Sequence, residues 1–206
     1  MALKTFIKVS NISNLSDARY CAGMGVEMLG FAVEPNSDNY IPPQAYQEMI
    51  GWLSGVEFVA EFGKATLEEI NKVLEKYPAH ALQTENQEVL SKLLQNKQTQ
   101  KIDALPIKIL FKSNQIKILQ QVAEKYADVV NFFILAEAEK YSMQEIKLLA
   151  EKYPTLLEGI SKLPLVESFL QNTNVKGFVL QGSKEIAPGL KDFDELAEIL
   201  EGLEVE

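Results

Sequence analysis

The stretch FIKVSNISNLSDARYCAGMGVEMLGFAVEPNSDNYIPPQA, residues 6–45, reads as strand, turn, helix, strand and turn, then a polar loop and the opening of a second helix. Phe6 to Val9 and Met28 to Val33 are short apolar runs of strand length. A helix runs between them from Asn14 to Met24. Pro42 or Pro43 is suited to the first position of the next helix, where the missing N–H would have had no partner. Strand, helix and strand in succession are the unit from which parallel sheets are built.

The unit recurs along the chain. Further candidate strands are Phe58 to Phe62, Ala79 to Gln83, Ile107 to Phe111, Phe132 to Leu135, Leu156 to Glu158 and Gly177 to Leu180. Helices follow in Thr66 to Tyr77, Asn86 to Asn96, Gln115 to Tyr126, Ser142 to Tyr153, Leu163 to Gln171 and Leu190 to Leu200. In the first of these, Thr66 and Glu69 form a capping box, and Leu67, Ile70, Val73 and Leu74 supply one apolar face. Eight strands, each followed by a helix, predict a (β/α)8 TIM barrel spanning residues 1–206 as one domain. An open doubly wound sheet is the alternative, but no G-x-G-x-x-G follows the first strand.

Composition narrows the function classes. With 206 residues and 47% hydrophobic content the chain can bury one sizeable core, and no apolar run approaches the roughly 20 residues of a membrane span. A net charge of −9 argues against a nucleic-acid partner, whose phosphates require a basic face, and against an anionic membrane. The one cysteine, Cys21, permits neither an intrachain disulfide nor a Cys-based zinc site. No cofactor is implied, and the expectation is a soluble cytoplasmic protein.

In a barrel of this kind, sites lie where strands end and helices begin. Side chains alternate along a strand, so Lys8 and Ser10 share one face of the first strand, with Ser10 at its outgoing end. Cys21 falls inside a helix and reads as a small buried residue. The sole histidine, His80, sits at the entering end of the fourth strand and reads as structural. No Ser–His or Cys–His pair can be drawn.

The segment KVSNISNLSDARYCAGMGVEMLGF resembles the opening of phosphoribosylanthranilate isomerases, K-[IV]-C-G-[IL]-[TR] followed by L-G-F, matched at Lys8, Val9, Ile12, Leu29, Gly30 and Phe31. EPNSDNYIPPQA is similar to the family's P-K-S-P-R-Y-V-S-P-x-x-A, and GFVLQGSKEIAPGLKD to G-V-D-V-S-S-G-V-E-S-S-P-G-x-K-D, keeping Glu185, Pro188, Gly189, Lys191 and Asp192. EFVAEFGKATLEEI and HALQTENQEVL extend the resemblance more weakly between these ends. The resemblance implies a barrel that performs an Amadori rearrangement on a phosphoribosylated aromatic amine, with a cysteine base after strand one and an aspartate acid after strand six.

This chain departs from that pattern at the chemistry. Ser10 stands at the base position, and an unassisted hydroxyl is too weakly acidic to serve. The acid falls near Ala136 or Glu137, of which Glu137 alone could carry a proton. Asn39 replaces the substrate-orienting arginine and Asn36 the lysine before it, which removes a bidentate clamp. Gln83 replaces a histidine at strand four. The phosphate turns retain Gly159 after strand seven and Gly182 with Ser183 after strand eight, but Glu158, Ile160, Gln181 and Val179 surround them. Gly182 and Ser183 could still form a small anion nest, helped by Lys162 or Lys184.

The resulting expectation is a divergent relative that lacks ordinary isomerase activity and binds a metabolite or a protein. An active isomerase in tryptophan biosynthesis with an unusual site, and a different enzyme on the same scaffold, are the alternatives. The ligand is a small molecule at the C-terminal face of the barrel, phosphorylated if the anion nest works, and a homodimer is left open. Glu61, Glu137 and Glu158, at the outgoing ends of strands three, six and seven with no arginine opposite, predict a mouth that repels anions and attracts a cation, with at least one carboxyl pKa raised. That expectation fails for any of them that points outward or pairs with Lys8.

Overall fold

The structure is a computed structural model that describes residues 2–98, 108–182, 184–187, 190–192 and 194–205. Eight parallel strands close into a barrel in chain order: β1 Phe6–Ser10, β2 Met28–Ala32, β3 Glu57–Glu61, β4 Ala81–Thr84, β5 Lys108–Ser113, β6 Phe132–Leu135, β7 Thr155–Glu158 and β8 Gly177–Gln181. β8 returns to β1 in register, with Lys8 beside Val179 and Ser10 beside Gln181. The helices α1 Leu15–Gly23, α2 Pro43–Ile50, α3 Leu67–Leu74, α4 Gln87–Gln98, α5 Ile116–Tyr126, α6 Met143–Ala150, α7 Leu163–Asn172 and α8 Asp194–Gly202 form the connections. The (β/α)8 reading of the sequence is correct.

Strand alternation divides the apolar residues into two bodies. Phe58 and Ala60 of β3 pack outward against helices, while Val59 between them joins Met28, Ala81, Leu110, Ile134, Leu156 and Val179 inside the barrel. The same parity sends Ile7 and Val9 outward and leaves Lys8 and Ser10 on the inner face, both buried. A lysine thus occupies a layer otherwise filled by hydrocarbon, and it must find a countercharge there.

Local signals explain the helix starts. The Asn14 side chain accepts from the Asp17 amide at 2.9 Å, the Thr66–Glu69 capping box is present, and Ser142 with Glu145 forms another. Pro43 is the first residue of α2. Cys21 is fully buried on α1, and burial pushes its thiol up to about 12, as an inert core residue. The His80 ring nitrogen Nδ1 accepts from the Phe58 amide at 2.9 Å, which makes this histidine a splice between adjacent strands.

Several boundaries differ from expectation: the helix expected to reach Tyr77 ends at Leu74, and the strand expected to end at Phe111 continues to Ser113. Leu190 does not start a helix: β9 Lys184–Ala187 pairs antiparallel with β10 Leu190–Asp192, and α8 begins only at Asp194. The helix expected to reach Tyr153 ends at Ala150, after which the Tyr153 amide donates back to the Leu149 carbonyl at 3.0 Å, just before Pro154. Ile107, the expected first residue of the fifth strand, and Pro188 and Gly189 lie outside the described residues. Among the described residues no helix is long and apolar enough to cross a membrane.

Candidate functional site at the barrel mouth

Above the inner apolar layer, the outgoing ends of the strands carry polar side chains joined into two groups. The first is closed. Lys8 of β1 forms an ion pair with Glu61 Oε1 of β3 and donates to Ser10 Oγ at 2.5 Å, while Ser10 Oγ donates to Glu61 Oε1 at 2.7 Å. The Asn11 amide donates to Glu61 Oε2 at 3.3 Å, and Asn11 adopts a left-handed conformation with φ of 59°. Lys8 is 0% exposed and Glu61 9%. Burial alone would raise the Glu61 pKa, but the Lys8 charge, with hydrogen bonds from Lys8, Ser10 and Asn11, holds it below the ordinary carboxylate range.

Gly30 explains how this pair fits. A Cβ at residue 30 would lie 2.1 Å from Glu61 Oε1 and 2.9 Å from Lys8 Nζ, so β2 leaves room for the ion pair by carrying no side chain there.

The second group is more open. Lys112 of β5 donates to Glu158 Oε1 of β7 at 3.0 Å, and Oε2 lies 2.8 Å from the same ammonium. Glu158 Oε1 also accepts from Gln181 Nε2 at 2.6 Å, and Gln181 Oε1 accepts from Asn11 Nδ2 at 2.6 Å. Burial would lower the Lys112 pKa, but the Glu158 charge and hydrogen bond raise it instead. The chain of contacts runs from β5 through β7 and β8 to the end of β1.

The remaining candidate residues scatter. Gln83 of β4 lies between Glu61 and Leu110 in register, 6% exposed, and its Oε1 has no donor among the described residues. Glu137 follows β6 in a left-handed conformation with φ of 53° and is exposed. It pairs with Lys140 at 2.7 Å and accepts from Asn114 Nδ2 at 3.3 Å, and these contacts hold its carboxyl below the usual range. Gly159, with φ of 89°, lets β7 pass close to it, since a Cβ there would lie 3.2 Å from Glu137 Cα. The Gly182 amide donates to the Ser10 carbonyl at 2.8 Å. Asn39 is exposed in the loop between β2 and α2. Ser183 lies outside the described residues.

The three carboxylates therefore do not behave as a bare acidic ring. Glu61 is matched by Lys8, Glu158 by Lys112 and Glu137 by Lys140. Instead of a raised pKa, Glu61 and Glu137 show lowered ones, because each sits closer to a lysine than to another acid. Sequence reasoning missed Lys112, although strand parity gives it away: it follows Leu110 by two residues and so shares its inward face. Among the described residues no cluster of three metal-binding side chains occurs.

Two further cavities border this mouth beside one of about 530 Å³ at the ends of β2 and β3, whose wall carries Glu34, Asn36, Lys64 and Lys72. One of about 580 Å³ lies over the ends of β4 to β6, with Lys64, Lys112, Glu85 and Glu137 in its wall. The other, of about 350 Å³, lies between β7, β8 and α8, and Glu195 is the charged residue of its described lining.

No family model matches the chain. Among named proteins it is similar to the N-(5'-phosphoribosyl)anthranilate isomerase of Rippkaea orientalis, 24% identical, with 96% of this chain and 95% of that protein covered. The protein of that name from Gloeothece citriformis is 26% identical, with 96% and 93% covered. Among solved structures, the phosphoribosylanthranilate isomerase of Thermotoga maritima shares the fold with a TM-score of 0.76 at 18% identity, covering 97% of this chain and 98% of that one. Another structure of the enzyme, in complex with reduced 1-(o-carboxyphenylamino)-1-deoxyribulose 5-phosphate, has a TM-score of 0.75 at 19% identity over 97% and 98% of the two chains. Along 96% of its length this chain is thus similar to proteins named N-(5'-phosphoribosyl)anthranilate isomerase, and it shares the (β/α)8 fold of solved structures of that enzyme.

Proposed function

We propose that this barrel has lost ordinary isomerase activity and acts by binding a small metabolite at its C-terminal mouth. The observation that carries the reading is the Lys8–Glu61–Ser10 contact. At the base position a hydroxyl donates its proton to a carboxylate whose charge is already met by a buried lysine. An ordinary carboxylate at pH 7 is about 4 kcal/mol away from accepting a proton, and Glu61 lies lower than ordinary. Glu137, held ionised by Lys140, has no proton to give at neutral pH.

The phosphate side supports the same reading. The Gly182 amide, which an anion would use, donates to the Ser10 carbonyl, and the cavity between β7 and β8 has no lysine or arginine in its described lining. These features favour an unphosphorylated ligand. The acidic, cysteine-poor sequence is consistent with a cytoplasmic location.

The likeness to proteins named as isomerases along nearly the whole chain favours a second reading, an active enzyme in tryptophan biosynthesis in which Glu61 takes the proton through Ser10. Complementation separates the two. Expressed in a tryptophan auxotroph that lacks the isomerase, this chain is expected not to restore growth on minimal medium. Growth at the rate given by an authentic isomerase would establish the second reading.

A further inference from the structure

We infer that the cavity at the ends of β2 and β3 is a second binding site, separate from the polar groups of the mouth, and that it takes a small aliphatic carboxylate. The cavity has a volume of about 530 Å³ and lies between the loop after β2, residues 34–37, and α3. Glu61, the last residue of β3, faces into the barrel, whereas Phe62 after it packs with the outer apolar body on the helix side. The cavity thus lies on the helix side of the strand ring. None of its lining residues belongs to either of the two ion-paired groups.

Four charged side chains stand in its wall, and the two signs differ in what already engages them. Glu34 Oε2 accepts from the Gly63 amide at 2.7 Å, and Glu69 Oε2 accepts from the Thr66 amide at 2.8 Å and from Thr66 Oγ1 at 2.9 Å. The ammonium groups of Lys64 and Lys72 have no hydrogen-bond or ion-pair partner among the described residues. The positive groups are therefore the ones free to take a ligand, and they call for an anionic head. That head is a carboxylate and not a phosphate. Phosphate is held by free backbone amides and helix N-termini. Here the Gly63 amide goes to Glu34, and the start of α3 is closed by the Thr66–Glu69 capping box. Two carboxylates in the same wall also oppose a dianion more than a monoanion. The body of the ligand is aliphatic. Pro35, Ala65 and Val73 line the cavity, and Phe62, the aromatic residue of the described lining, is 3% exposed and offers little face for a ring to stack on.

The test is titration of the full chain with hexanoate, followed by calorimetry and by backbone amide chemical shifts. Hexanoate is expected to bind saturably, with the largest shifts within residues 34–37 and 62–73. Hexanol and hexylamine are expected to bind at least about tenfold more weakly, because neither presents an anion to the lysines. Hexyl phosphate and phenylacetate are expected to bind no more tightly than hexanoate. Lys64→Gln with Lys72→Gln should weaken hexanoate binding at least about tenfold while the protein still melts cooperatively. Ala65→Phe, which fills part of the cavity, should weaken it at least about fivefold with both lysines in place. Absence of hexanoate binding, equal binding of the alcohol or the amine, tighter binding of hexyl phosphate or phenylacetate, shifts centred elsewhere, or undiminished binding by both variants would overturn the inference. Isomerase turnover, measured separately, would overturn the reading of the mouth without bearing on this cavity.

Discussion

Two ion pairs cross the barrel mouth, and they differ in how much of them water reaches. Lys8 and Glu61 are sealed, with Ser10 and the Asn11 amide taking up the remaining oxygen lone pairs, and Gly30 making the space. Lys112 and Glu158 span the opposite side, but Lys112 touches a cavity and Glu158 shares its oxygen with Gln181. The same chemistry thus serves as scaffold on one side and as an addressable surface on the other. The difference lies in exposure and not in register: Lys8 lies beside Met28 and Val179 and Lys112 beside Ile134, all of the inner apolar cluster, yet Lys8 is 0% exposed and Lys112 24%.

The largest expected effect breaks the sealed pair. Glu61→Gln leaves Lys8 buried without a countercharge and should cost about 3–5 kcal/mol of stability, read by urea denaturation. A loss under about 1 kcal/mol would mean that the sealed corner is no more demanding than the open one. Gly30→Ala attacks the same pair sterically and should cost about 1–3 kcal/mol, because the new methyl would lie only 2.1 Å from Glu61 Oε1.

Acid sharpens the contrast. The folded pKa of Glu61 is below its unfolded value, so its contribution to stability is complete above the ordinary carboxylate value of about 4.3 and is lost as pH falls through the lower folded value. Unfolding curves measured downward from pH 5 should show this loss in the parent protein and a smaller slope in Glu61→Gln. On the open side, Glu158→Gln should cost only about 1 kcal/mol, because Lys112 can turn toward water. Equal losses in the two Glu→Gln variants would erase the distinction between the corners.

Much of the architecture was legible in the sequence because its signals are local. The Thr66–Glu69 box, Pro43 at a helix start, and the alternation that puts Lys8 and Ser10 together each depend on residues within a few positions. The site was harder because its partners lie far apart in the chain. Pairing with Lys8 stood only as one of two ways for the acidic mouth to fail, with nothing local to Glu61 to select it, and the reason for Gly30 appears only when β1, β2 and β3 lie side by side. Lys112 falls just beyond the Ile107 to Phe111 run that reads as the fifth strand, whereas β5 continues to Ser113. The β9–β10 hairpin was hidden for a similar reason: Leu190 begins an apolar pattern that suits the following helix, and antiparallel pairing claims it first.

A smaller effect is expected at the base position itself. Ser10→Cys restores the family's residue but not the acid, the clamp or the phosphate turns, so it should leave turnover at background in a coupled fluorescence assay. Substantial rescue by that one change would show that the rest of the mouth is intact.

The central claim, that the mouth has exchanged catalytic groups for internally matched ones, is tested most directly by turnover of N-(5'-phosphoribosyl)anthranilate by the purified chain. Loss of a general base alone typically lowers the rate about 10²–10⁴-fold, and here the acid is also held ionised. The account predicts kcat/KM at least about a hundredfold below that of an authentic isomerase measured alongside it. Turnover within tenfold of that enzyme would contradict it.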